Sequence, residues 1–242
     1  MFAIKTINLT KKYKELTAVD NLSLSVEEGE LFALLGINGA GKTTTIKMLS
    51  CLSSATSGEA YINGFSIKDE KDKIKEIIAV SPQETAVAPM LSIRENLELI
   101  CGIYEFSKEK TAQKIEELSS LLSLKEVLNK KADKLSGGYK RRLSIAMALI
   151  SEPSVLFLDE PTLGLDVIAR SELWDIIRAL KGKTTIILTT HYMEEAYALS
   201  DRIAIMKNGK LLICDTAEKI MEKADTTNFE EAFIRIVRED IK

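Results

Sequence analysis

Two apolar patterns alternate along the chain. Short continuous runs, Leu31-Phe32-Ala33-Leu34-Leu35, Ile77-Ile78-Ala79-Val80, Val155-Leu156-Phe157-Leu158 and Thr184 to Thr190, have no polar face. Such runs predict strands buried on both sides, as in a parallel sheet. Between them the spacing is helical: Thr44 to Leu49, the set Ile115, Leu118, Leu121 and Leu122, the stretch Lys140 to Ile150, and Leu173, Ile176, Ile177 and Leu180. Phe2 to Leu9 alternates apolar and polar residues, as a half-buried strand does. Leu16 to Val19 and Leu22 to Val26 also read as strands. Asn63-Gly64 after Ala60-Tyr61-Ile62, and Asn208-Gly209 between Arg202–Met206 and Leu211–Cys214, mark tight turns. Lys68 to Lys75 is a charged, solvated helical stretch.

Strand signals fade between about Ala86 and Glu152. There Ser92 with Glu95 forms a capping box, and Ser107 can cap the next helix. From Thr216 onward Phe229, Phe233 and Ile236 follow helical spacing. This order predicts an α/β fold: a mainly parallel sheet flanked by helices, with a helical insertion at about 86–152.

Composition narrows the class. The 242 residues fit one large domain, or one with an insertion. A net charge of −3 gives no bulk basic character, so no nucleic acid is expected as partner. Apolar runs reach about six residues, as in Ile145 to Ile150, far short of the roughly twenty of a membrane-spanning helix. Met-Phe-Ala-Ile-Lys at the start lacks the pattern of a signal peptide. Cys51, Cys101 and Cys214 are odd in number and far apart, and read as reduced, mostly buried thiols. His191 is the single histidine, and with no Cys/His cluster a structural zinc is not expected.

The chemistry is concentrated at strand ends. Gly36-Ile37-Asn38-Gly39-Ala40-Gly41-Lys42-Thr43 follows one apolar strand and opens a helix, the context of a phosphate-binding loop. Its glycines let successive N–H groups turn toward a polyphosphate, and the helix adds its positive end. Lys42 would reach the β- and γ-phosphates, and the Thr43 hydroxyl would ligate Mg²⁺. Gln83, Asp159 and His191 also sit just past strands, at the edge where α/β sheets bind ligands. Asp159 fits a magnesium partner of Thr43, and Glu160 fits the base that orients and deprotonates an attacking water. Gln83 could touch both metal and water. Leu135-Ser136-Gly137-Gly138 opens another helix and offers a second anion site. Each feature alone has a plainer reading: a capping Asp with a surface Glu, an ordinary Ser cap, a solvated loop Gln.

Together, the phosphate loop, Gln83, Leu-Ser-Gly-Gly, Val-Leu-Phe-Leu-Asp-Glu-Pro, Gly164-Leu165-Asp166 and His191 resemble an ABC-type nucleotide-binding domain over about residues 2 to 222. The resemblance implies a P-loop NTPase core with an antiparallel β subdomain in front and a helical subdomain inserted. The domain would span 1–222, with 223–242 a short helical tail. It implies that ATP is held by Tyr13 stacking on adenine and by Gly36, Asn38, Gly39, Ala40, Gly41, Lys42, Thr43 and Thr44. Ser136, Gly137 and Gly138 of a second, head-to-tail protomer would complete the site. Glu160, His191, Gln83 and Lys42 would be catalytic, with Thr43, Gln83 and Asp159 at Mg²⁺, and Asp166 would communicate across the dimer. An edge aromatic is the plain alternative for Tyr13. Two positions depart from the family pattern: Tyr139 replaces the usual Gln, and Thr162-Leu163 replaces Thr-Ser.

Arg94-Glu95-Asn96-Leu97, Gly102-Ile103-Tyr104, Lys140-Arg141-Arg142-Leu143, His191 to Ala196 and Phe229 to Phe233 are similar to the drug, antibiotic and sodium efflux branch. Lys140 to Arg142 would equally serve as a solvated helix face. The resemblance implies an ATP-hydrolysing subunit that powers an exporter of drug, antibiotic, lipid or ion. It would sit in the cytoplasm, peripheral on the inner face of the cell membrane. Its partners would be an integral membrane permease, docking near Glu84 to Leu91, and an identical or similar ATPase chain. A soluble ATPase acting on ribosomes or DNA, or the motor of an importer, are the alternatives.

Overall fold

In the structure, a computed structural model describing residues 1–239, two sheets share one chain. The first is antiparallel: β1 (Phe2–Tyr13), β2 (Leu16–Leu22), β3 (Ser25–Glu27), β5 (Ser57–Ile62) and β6 (Phe65–Ser66). The second has β4 (Leu31–Leu35), β7 (Ile78–Ser81), β8 (Val155–Asp159), β9 (Thr185–Thr190), β10 (Arg202–Lys207) and β11 (Lys210–Asp215), in the order β11-β10-β4-β9-β8-β7. Every pairing in it is parallel except β10 with β11.

The continuous apolar runs have a simple cause. Alternate side chains of a strand face opposite sides of its sheet. Leu31, Ala33 and Leu35 enter one core, while Phe32 and Leu34 enter the other. Leu156 and Leu158 part from Val155 and Phe157 in the same way, and Ile203 and Ile205 from Ala204 and Met206. One core lies between the two sheets and takes in α1 (Lys42–Leu49) and Ile74 of α2 (Lys71–Ile77). The other is covered by helices.

The chain leaves the parallel sheet at Ser81 and returns at Val155. Between them run α3 (Ile93–Ile103), α4 (Lys108–Leu121) and α5 (Gly137–Leu149), with two short 3₁₀ turns. Both predicted caps are present. Ser92 and Glu95 exchange hydrogen bonds as a capping box, and Ser107 accepts from the Lys110 amide. After β8 come α6 (Val167–Leu180), α7 (Met193–Leu199), α8 (Ala217–Lys223) and α9 (Phe229–Glu239). Helix α9 joins the main core through Phe229, Ala232 and Phe233, and Phe229 lies against Tyr197 of α7 at 5.6 Å between rings. Residues 240–242 of the anticipated helical tail lie outside the described residues.

Two expectations are corrected. The two strands expected over 16–26 divide instead at Leu22. Asn21 takes a left-handed φ of 51°, which Asn tolerates, and cross-strand pairing of Leu22 with Leu9 carries β2 past the polar break. The cysteines are free and mostly buried as expected, Cys101 fully and Cys51 and Cys214 at a margin of the inter-sheet core. Arg141 and Arg142 are not a solvated face; they are 4% and 6% exposed. Arg141 holds backbone carbonyls, and Arg142 pairs with Glu172 of α6.

Candidate active site

At the carboxyl ends of β4, β7, β8 and β9 lies a cavity of about 700 Å³. It is lined by the loop from Asn38 to Thr44, by Gln83, Glu160 and His191, and by Leu16, Thr17 and Ala18 of β2. Parallel pairing explains the convergence. Asp159 stands beside Thr189 in register, so Glu160 and His191 emerge past neighbouring strands despite their separation in sequence.

The loop is braced against its surroundings. A Cβ on Gly36 would lie 2.5 Å from the Met206 carbonyl oxygen, and one on Gly41, at φ +102°, would lie 2.5 Å from that of Ala18. Glycine is therefore required at both places. Helix α1 begins at Lys42 with no side-chain cap, so its first amides are free of competing side-chain acceptors. Amides and positive helix end together suit an anion such as a polyphosphate.

Lys42, only 5% exposed, donates to the carbonyls of Gly36 at 2.8 Å and Ile37 at 3.3 Å. It also pairs with Glu160 Oε1 at 3.2 Å. The other carboxylate oxygen of Glu160 meets His191 Nδ1 at 2.5 Å. Glu160 thus bridges a lysine and a histidine at the cavity wall, nearly dehydrated. Its backbone is left-handed, φ 49°, a conformation that costs a non-glycine residue about 1–3 kcal/mol. Three hydrogen bonds hold it there: its amide donates to Thr189 O and Oγ1, and its carbonyl accepts from the Leu163 amide.

Asp159 Oδ1 accepts from Thr43 Oγ1 at 3.0 Å and from the buried Thr189 hydroxyl at 2.6 Å. The Thr43 hydroxyl and the Gln83 amide both line the cavity, and the Asp159 carboxylate stands behind Thr43. All three are hard oxygen donors of the kind that suit Mg²⁺.

Other sequence candidates lie elsewhere. Tyr13, at the end of β1 and 45% exposed, carries Lys11 Nζ at 4.8 Å from its ring and does not line the cavity. Ser136, Gly137 and Gly138 form the start of α5, where Ser136 caps the Tyr139 amide. They too lie outside this cavity, as does Asp166, which caps α6 through the Ala169 amide.

Two participants escape sequence reading. Thr189 is hidden in an apolar strand; the signal available is a hydroxyl directly opposite Asp159 in a parallel pair. Glu195 of α7 is fully buried, with Trp174 Nε1 donating to its Oε1 at 3.2 Å. Burial pushes the Glu195 carboxyl above its ordinary range. Thr190, Thr162 and Trp174 pull it back down, and the Glu160 charge adds to the rise. The folded chain therefore keeps a proton that the unfolded chain releases near its ordinary value. That contribution to stability is fully present at low pH and is lost as pH rises through the raised value. Glu195→Gln keeps the acceptor for Trp174 and has no proton to lose. It is expected to melt higher than the unsubstituted chain at about pH 8, with the gap closing toward about pH 4.5. Thermal melts across pH check this; a gap independent of pH overturns it.

Comparison with known proteins agrees with this geometry. Residues 19–163 match the family model described as "ABC transporter". The human phospholipid-transporting ATPase ABCA3 is 39% identical over 224 residues, 91% of this chain and 13% of its own length. The probable multidrug ABC transporter ATP-binding protein YbhF of Escherichia coli K12 is 36% identical over 98% of this chain, which spans 42% of that relative. The dimeric structure of a post-hydrolysis state of the ATP-binding cassette MJ0796, bound to ADP and Pi, superposes with a TM-score of 0.78. It is 29% identical and covers 88% of this chain and 98% of its own. The chain belongs to the ABC transporter family and is an ATPase of the ATP-binding-cassette type.

Proposed function

We propose that the chain binds Mg²⁺·ATP in the phosphate-loop cavity and that its hydrolysis drives a membrane exporter. The observation that carries this is Glu160, a nearly dehydrated carboxylate held between Lys42 and His191 beside the phosphate loop. In this reading the loop from Gly36 to Thr44 cradles the phosphates and Lys42 neutralises them. Thr43, Asp159 and Gln83 hold the metal, which would screen charge between the β- and γ-phosphates. Glu160 takes the proton of the attacking water, and His191 orients that carboxylate from its other side. Residues 1–222, with the helical part near 86–152, act as the nucleotide-binding unit, and 223–242 as a tail. Tyr13 stands outside the cavity but pairs across the strands with Leu16 of its wall, and in this reading its ring would meet the base beyond that rim.

The start of α5 at Ser136 to Gly138 does not line this chain's own cavity. We assign it to the site of a second, head-to-tail protomer, identical or similar; MJ0796 is described as a dimer with ADP and Pi. Closure on ATP and release after hydrolysis would form the working stroke.

The stroke needs a membrane partner. Among the described residues no helix is long and apolar enough to cross a membrane. A groove of about 450 Å³ beside the segment after Gln83 is lined by Leu52, Ala86, Ile100, Ile103, Tyr104 and Met147. Leu52 and Ile103 are 71% and 67% exposed. An amphipathic helix of a membrane-embedded permease would bury them, placing this chain on the cytoplasmic face. ABCA3 and YbhF, named for phospholipid and multidrug transport, support an exporter of lipid or drug, with antibiotic or ion as other cargoes of the branch.

The test is affinity purification of the tagged chain from detergent-solubilised native membranes. A stoichiometric multi-spanning protein is expected, lost in Ile103→Asp while nucleotide binding stays. Recovery of ribosomal proteins or nucleic acid instead would overturn the transporter reading and leave the ATPase site standing.

A further inference from the structure

Gln83 reaches the cavity from a segment with no regular structure of its own. The segment runs from the end of β7 toward α3 and is pinned at successive points. Ser81 Oγ meets Ser144 Oγ of α5 at 2.9 Å. Next, Arg141 of α5 donates Nη1 to the Pro82 carbonyl and Nη2 to the Gln83 carbonyl, both at 2.6 Å. Further on, Asn96 of α3 exchanges hydrogen bonds with Ala88.

The Arg141 contact differs in kind from the others. Its guanidinium is buried, and a planar fork on two successive carbonyls fixes both the position and the tilt of the peptide between them. That peptide carries the Gln83 side chain. Arg141 also lies one helical turn beyond Gly137, on the helix whose first residues are capped by Ser136. A displacement of this helix start therefore pulls directly on the backbone that aims Gln83. Burial works against the guanidinium's charge, and the Asp159 carboxylate supports it, joined by Glu195 at a pH where that group is ionised. An arginine in this setting stays charged at every physiological pH.

We propose that Arg141 is the positioning residue for Gln83, a rigid clasp that makes Gln83 and the Ser136–Gly138 helix start move as one. The proposal rests on the reading of Gln83 as a metal-side residue. Under that reading, a neighbouring protomer that engages the helix start also sets the Gln83 amide.

Arg141→Ala would leave the two buried carbonyls without their donor and would test folding alone. Arg141→Lys keeps the charge, but a single ammonium cannot fork to both carbonyls. Ser144→Ala is the comparison: it removes another tie of the same helix without touching the two carbonyls. In Arg141→Lys, amide hydrogen exchange over residues 83–87 is expected to quicken by about tenfold, the factor for one lost charge-assisted hydrogen bond. Half-saturating Mg²⁺ for ATP hydrolysis should rise by about as much, in the same direction as in Gln83→Ala. Nucleotide affinity measured in EDTA should stay within about twofold, because Lys42 and the loop are untouched.

If Arg141→Lys behaves like Ser144→Ala, with a lower melting temperature and unchanged exchange and Mg²⁺ demand, the clasp is overturned. If Gln83→Ala leaves Mg²⁺ demand unchanged, the metal-side reading of Gln83 falls. The exchange rates then decide the clasp by themselves, since they report the backbone and not the metal.

Discussion

Glu160→Gln is expected to lower steady-state phosphate release by about 10²–10⁴-fold, the usual worth of a positioned general base. Nucleotide affinity should not fall. The amide fits the space of the carboxylate and inherits the same left-handed backbone, held by Thr189 and Leu163. Lys42 also loses an anion that competes with phosphate for it, so ATP binding should hold or tighten. The decisive pair of measurements is phosphate release under saturating Mg²⁺·ATP and equilibrium binding of ATP to the same sample. Turnover equal to the unsubstituted chain sinks the assignment of Glu160 as the base.

Lys42→Ala is expected to act one step earlier. Its ammonium is buried and holds the carbonyls of Gly36 and Ile37 together with Glu160. Truncating one partner of such a buried charged set costs about 2–5 kcal/mol, so ATP affinity should fall by at least about thirtyfold. The loss combines a missing countercharge for phosphate with a Glu160 carboxylate left facing the incoming anion. Calorimetric titration with ATP, beside a thermal melt showing that the chain remains folded, would separate binding from stability. Unchanged affinity in a folded variant would remove the phosphate-loop role.

The sheet was legible because its strands are buried on both faces, and unbroken apolar runs have few other homes in a chain of this charge content. The loop was legible because glycines, lysine and threonine stood between a strand and a helix. The pairing of Glu160 with His191 was not. It depends on β8 and β9 being parallel neighbours in a particular register, and no spacing along the chain encodes lateral adjacency. The role of Thr189 was hidden for the same reason, and that of Glu195 because its partner Trp174 lies on a different helix. A threonine in a β-branched run reads as strand propensity until an aspartate appears across from it. Lys140 to Arg142 showed the opposite difficulty. Three cations in a row suggest solvent, yet the helix turns two of them inward toward carbonyls and a carboxylate that only the fold supplies.

The parallel sheet is a partition wall with a core on each side, and adjacent residues of every strand are mortared into opposite rooms. Neither room can be emptied while the wall still stands. Melting the helical side strips Leu31, Ala33 and Leu35 of their partners, and the strand they desert also carries Phe32 and Leu34. Large-scale opening is thereby made all-or-none, and only peripheral pieces can loosen alone. In the proposed working stroke, flexure would then fall to joints at the rim of the wall, while the masonry that carries the phosphate loop would stay put.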